Sequence, residues 1–151
     1  MGRGGASFPV IISLCLAASA AVSAAAGEPV EVTPLLTTRQ TASGQPILLP
    51  QRDVQVVVSR FVIQPGARLP VHLHPWQRYG YLLSGELRVT LSDDGRVIRY
   101  RPGDFIVEAR EQWHSGVAVG TKPAVLIVID QVEAGHSNTV LKQADRDTFS
   151  K

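Results

Sequence analysis

The sequence predicts a single all-β domain, a small sandwich or barrel. Three observations carry that expectation. From Val54 to Asp130 the chain reads as short runs of β-branched, aromatic and aliphatic residues, broken at close intervals by Pro-Gly and Asp-Gly signals. No segment of helical length repeats its apolar residues with a helical period. The run from Ala124 to Asp130 is almost wholly aliphatic, as suits a central strand.

Residues 1–26 resemble a secretory signal peptide. Arg3 supplies a positive charge, Phe8 to Ala25 forms an alanine-rich apolar run, and Ser23 to Ala26 are small, the order in which an export signal is built. Cleavage near Ala26 would leave roughly 125 residues, enough for one domain with one core. The expected compartment is therefore the periplasm or the exterior, with no stable membrane span after the signal is removed. Cys15, the only cysteine, lies in this segment, so the mature domain would contain no disulfide and would depend on apolar packing.

Residues 27–53 are rich in Thr, Pro, Gln and Gly and read as an N-terminal arm or edge strand. The barrel is expected over residues 54–132. Val54 to Ile63 is the first strong strand, and Pro65-Gly66 turns it. Val71 to His74 follows, then Tyr79 to Leu83, a turn at Ser84-Gly85, and Leu87 to Leu91. Asp93-Asp94-Gly95 is a hairpin signal leading to Val97 to Tyr100. Pro102-Gly103-Asp104 turns the chain into Phe105 to Glu108, and Trp113 to Val119 and Ala124 to Asp130 complete seven or eight strands. Residues 133–151 are polar and read as a C-terminal tail, a loose arm or a short helix.

Charge narrows the partners. The chain carries 15 basic and 13 acidic residues, and loss of Arg3 would bring the net charge from +2 to about +1. No basic cluster is interleaved with aromatics, so nucleic acid is not an expected partner. No Gly-rich phosphate loop is present, and Ser84-Gly85 and Ser115-Gly116 lack an acid-base partner at readable spacing, so nucleophilic catalysis has no support.

His72-Leu73-His74 is the densest chemical signal. On a strand, residues i and i+2 share a face, so both imidazoles point the same way. Gly66 is followed by five residues, His72-Leu73-His74, three residues, position 78, six more residues and Gly85, and the segment resembles the first motif of the cupin family. Its second motif ends in one histidine after a Pro-Gly-Asp turn, here Pro102-Gly103-Asp104 and then His114. The proline, glycine and asparagine of that motif fall on Ala109, Glu111 and Ala118, so the likeness is strong in the first motif and loose in the second.

The resemblance implies a cupin-type jelly-roll β-barrel that binds a small molecule through a divalent metal. Carried over by position, the metal ligands are His72, His74 and His114, and the cofactor is a divalent transition metal such as Fe, Mn, Ni, Cu or Zn. Similar proteins often self-associate, which makes a homodimer the expected assembly. His136 lies outside the motifs and is expected to be solvated.

The departure falls at position 78, where the family carries a glutamate and this chain carries Arg78. Two like charges about 5 Å apart repel by roughly 3 kcal/mol at an effective dielectric of about 20, worth around two orders of magnitude in affinity. Arg78 could turn outward, pair with Glu108 or Glu111, or receive an anionic ligand; Gln77 or one of those glutamates could replace the missing ligand. Arg78, Gln77 and Trp113 are accordingly the candidate ligand-binding residues, and no catalytic residue is assigned. Three function classes stand open: an exported metal-dependent oxygenase or isomerase, a metal-free binding module that uses Arg78 to clamp a small anionic ligand, and an interaction subunit whose site has decayed.

Overall fold

A computed structural model describes residues 32–143 together with Met1 and Val30. The expected signal peptide, its cleavage site and Cys15 lie outside the described residues, as do the last residues of the tail. The chain divides between Val32 and Thr33, and the architecture below belongs to the second part.

The strands are β1 (Val54–Ile63), β2 (His72–Leu73), β3 (Arg78–Ser84), β4 (Glu86–Leu91), β5 (Val97–Tyr100), β6 (Phe105–Val107), β7 (His114–Val119), β8 (Ala124–Glu133) and β9 (Val140–Leu141). They form two antiparallel sheets, ordered β1-β8-β3-β6 and β5-β4-β7-β2-β9. Long connections between the sheets and non-sequential neighbours within each make the jelly roll. Among the described residues no helix is long and apolar enough to cross a membrane.

Strand β8 alternates strictly between buried and half-buried residues along its ten positions. Ala124, Leu126, Val128, Asp130 and Val132 face inward, and β1 and β3 cover its two edges. It is central, as its aliphatic content predicts. Leu126 and Val128 join Ile63, Leu82, Leu87, Tyr100, Ile106, Ala118 and Ala124 in one core between the sheets. Fully burying an aliphatic side chain of this size stabilises by about 1.5–3 kcal/mol, so this cluster supplies what a disulfide does not.

Two turns do what the sequence demands of them. Gly95 takes φ +69 in the β4–β5 hairpin. Gly85 takes φ +73 between β3 and β4, where a Cβ would overlap the backbone of Pro123 and Ala124; only glycine admits that approach.

The ends of the domain differ from the expectation. β8 runs to Glu133, past the expected barrel limit, and the segment after it returns as β9 to pair with β2. The reason is an open edge: β2 has only two residues, and its outer backbone groups find partners in Val140 and Leu141. On the other side, the arm forms a tight loop at Thr41–Gln45 rather than a strand, and Ala42 N–H donates to the Val107 carbonyl at 2.7 Å.

Candidate metal centre

Strand alternation brings the histidines together. His72 on β2 and His74, one residue past its end, point to the same side, and His72 pairs directly with His114 at the start of β7. All three are buried. Their ring centroids lie 4.5 Å apart for His72 and His114, 4.8 Å for His72 and His74, and 4.9 Å for His74 and His114. One ring nitrogen from each lies within 4.8 Å of the others.

The outer nitrogens set the tautomers. His72 Nδ1 donates to the Pro70 carbonyl at 2.7 Å, His74 Nδ1 to Asn138 at 2.6 Å and His114 Nδ1 to Gln112 at 2.8 Å. Each carbonyl requires a proton on Nδ1, so each neutral ring turns the lone pair of Nε2 toward the other two. Burial, then the charges of His114 and His74, lower the pKa of His72 from 6.5 to about 4, against smaller opposing effects of the Pro70 hydrogen bond and Glu108. His72 is therefore neutral, the form that ligates.

Glu108, just past the end of β6, enters the same space. Its Oε2 lies 3.1 Å from His74 Nε2 and 3.4 Å from His114 Nε2. The His114 contact lacks hydrogen-bond geometry, which leaves that buried nitrogen without a hydrogen-bond partner. Burial pushes the Glu108 carboxyl up, but the close approach of His114, the hydrogen bond from His74 and the charges of His74 and Arg78 outweigh it and hold the group well below its ordinary value. Two lone pairs and a carboxylate oxygen thus converge, and electrostatics requires a positive charge among them, a proton or a metal ion. Three buried imidazole nitrogens with outward-facing protons fit a divalent transition metal.

Arg78 has a different partner from those expected. It points inward and is buried, yet it pairs with neither Glu108 nor Glu111. Its Nε and Nη2 donate to Asp130 Oδ1 and Oδ2 at 2.7 and 2.9 Å, and Nη2 donates to Thr139 Oγ1 at 3.2 Å. Asp130 stands directly opposite Arg78 in the β3–β8 register. Glu111 instead meets Arg110 near the surface at 2.8 Å. The repulsion expected of an unpaired Arg78 is thereby offset by a carboxylate held in two-point contact.

The remaining candidates separate. Gln77 is fully buried and its Nε2 donates to the carbonyls of Glu108 at 2.9 Å and Arg78 at 3.2 Å, tying β3 to the end of β6 rather than lining the cavity. Trp113 is half-buried, accepts the Ser92 N–H on its carbonyl at 2.8 Å, and is absent from the cavity wall. His136 is exposed, with its ring 5.1 Å from Trp76.

Two residues escaped the sequence reading. Asn138 accepts the His74 Nδ1–H on its backbone carbonyl, accepts the Trp76 N–H on Oδ1 at 2.9 Å and donates from Nδ2 to Asp130 Oδ1 at 2.6 Å. Asp130 thus anchors both Arg78 and the residue that orients His74. Asp130 carried a signal, since it shares the inward parity of Leu126 and Val128. Asn138 carried none, because only the return of β9 brings it to the site.

The cavity beside the histidines measures about 40 Å3, a few times the roughly 10–15 Å3 that one water requires. Its walls are mainly apolar, including Phe61, Leu69, Leu91, Ile98, Ile106 and Val128, and His72, Glu108, His114 and Arg78 line it too. Tyr100 also lines it, and burial, then Glu108 and Asp104, push its phenol up so that it stays protonated.

Two facing antiparallel sheets with three imidazoles meeting between them define a jelly-roll barrel built around a candidate metal centre. A family model described as a cupin domain matches residues 59–130, so this part of the chain forms a cupin domain. Among solved structures, one of Bacillus subtilis oxalate decarboxylase, concerned with its Mn(II) centers, shares 27% identity over 57% of this chain and 23% of that chain, with a TM-score of 0.49. The DMSP lyase DddQ from Ruegeria pomeroyi DSS-3 shares 20% identity over 66% of this chain and 47% of that chain, with a TM-score of 0.51, a likeness of fold. This chain spans 23% of the decarboxylase and 47% of the lyase. No curated protein matches it.

Proposed function

We propose that this protein is an exported cupin that binds a small organic molecule at a divalent transition metal held by His72, His74 and His114. The observation that carries the reading is the shared tautomer: three buried rings each tied at Nδ1 to a backbone carbonyl, with their Nε2 atoms turned inward. Such a metal supplies Lewis acidity and open positions for substrate or oxygen, which makes an oxygenase or an isomerase the fitting reaction classes. The chain's own part is to orient the rings, to exclude bulk water with Phe61, Leu69 and Ile98, and to offer the Tyr100 hydroxyl.

Support for the metal-free reading with Arg78 as an anion clamp is weaker, because Asp130 already accepts from Nε and Nη2 and so takes up the two-point edge of the guanidinium. The apolar wall favours an uncharged or weakly polar ligand. A homodimer fits β1, an edge strand whose Val54, Val56, Val58 and Val62 are exposed and whose free backbone edge invites a second copy. Export rests on the composition of residues 1–26.

The reading is tested by element analysis of mature protein recovered by export. One equivalent of transition metal, lost in His72→Ala and in His114→Ala, is the expected result. Metal-free protein that takes up no Mn(II), Co(II) or Zn(II) on titration would overturn it.

A further inference from the structure

We infer that Glu108 supplies the carboxylate ligand that the cupin motif places at position 78, and that Arg78 and Asp130 have become the internal ion pair that holds the rest of the site in place. This rests on the metal-binding reading above and adds a fourth donor to it.

The spacing is that of two donors on one ion. Ligand atoms each about 2.1 Å from a metal sit about 3.0 Å apart at a right angle and about 3.4 Å apart at a tetrahedral angle. Glu108 Oε2 stands 3.1 Å from one inward nitrogen and 3.4 Å from another. An ordinary hydrogen bond accounts for one such contact; it does not account for a carboxylate oxygen shared between two acceptor nitrogens whose protons are engaged elsewhere.

The backbone aims this side chain. Glu108 N–H donates to the Arg78 carbonyl at 2.9 Å, and the Glu108 carbonyl accepts from Gln77 Nε2 at 2.9 Å. Both backbone groups are pinned against the stretch that carries the motif position. Ile106, two residues earlier, is buried in the core, so the same strand parity sends the Glu108 side chain inward.

Charge agrees. Arg78 is matched by Asp130, and three neutral imidazoles add nothing, so a divalent ion would face no compensating charge without Glu108. With it, one carboxylate again stands beside the ion, as the motif's glutamate would. The carboxylate stands at the end of β6 rather than on β3, and the arginine at the motif position is matched by its partner on β8.

The test titrates metal-stripped mature protein with Co(II), reading affinity and the visible absorption band that reports donor number and type. The wild type should bind one equivalent. Glu108→Gln, which keeps size and removes charge, should bind at least tenfold more weakly with a changed band, while its metal-free circular dichroism spectrum shows the wild-type fold. Equal affinity in Glu108→Gln overturns the inference and leaves the three-histidine reading standing. Weaker binding with an unchanged band also overturns it, because the carboxylate would then act by charge from outside the ligand shell. A wild type that binds no Co(II) overturns both readings. Should the variant fail to fold, a crystal structure of the Mn(II)-loaded wild type decides the matter: a Glu108 oxygen bonded to the ion supports the inference, and one beyond about 3 Å refutes it.

Discussion

Arg78 and Asp130 face each other across β3 and β8 as a register pair, joined by two parallel hydrogen bonds at 2.7 and 2.9 Å. Their side chains are 9% and 10% exposed. A pair this deep gains little over apolar residues of similar volume but costs much when half of it is removed. Asp130→Asn should therefore destabilise the protein by about 3–5 kcal/mol. Denaturant unfolding of the metal-free protein checks it. Joint replacement, Arg78→Met with Asp130→Leu, should recover most of that loss.

Asn138 should govern metal affinity without touching the metal. Asn138→Ala removes its bonds to Asp130 and to the Trp76 N–H, which frees the carbonyl that orients His74. Outer partners of this type typically contribute about 10–100-fold in metal affinity. Co(II) titration of Asn138→Ala should show a loss in that range, while His136→Ala, on the exposed face, should titrate as the wild type.

The metal-free protein should lose stability in acid through His72. In the unfolded chain this ring takes up a proton near 6.5, and in the folded protein only near 4. Its contribution is complete above about 6.5 and is lost as pH falls from there toward 4, to a total of roughly 3 kcal/mol. Glu108, also lowered, acts in the same direction further down. Thermal midpoints of chelator-treated protein between pH 7.5 and 4 should fall, and in His72→Gln the slope should flatten by about one proton.

Metal should stabilise the fold. At a free concentration about one hundred times Kd, binding to the native state alone adds about 2.7 kcal/mol. The thermal midpoint should rise with Co(II) in the wild type and stay level in His114→Ala.

Gly85→Ala should be poorly tolerated. The position takes φ +73, and a Cβ would overlap the backbone at Pro123. A cost of at least about 2 kcal/mol follows from strain and overlap together. Unfolding measurements should show it, whereas Gly135→Ala, at φ +81 but with no atom near its Cβ position, should cost less.

Much of the fold was legible because period-two alternation and turn residues are local properties. Val54–Ile63 and Val97–Tyr100 appear with the boundaries their sequences predict. The central place of β8 follows from its aliphatic run, and the inward direction of His72 and His74 from strand parity alone. β9 was not legible, since two residues of β-structure leave no pattern above a loop.

The sequence by itself determined the strands, the glycine turns and the three imidazoles on inward faces, because each depends on neighbours within a few residues. Only the tertiary structure decided what Arg78 does. Its partner lies 52 residues away, and nothing local to either side chain encodes the register that sets them opposite one another. The same holds for Glu108 and Asn138, which reach the histidines because sheet closure brings distant backbone together. Pairing between strands is a non-local choice, set by burial of the whole core, and the electrostatics of the site follow from it.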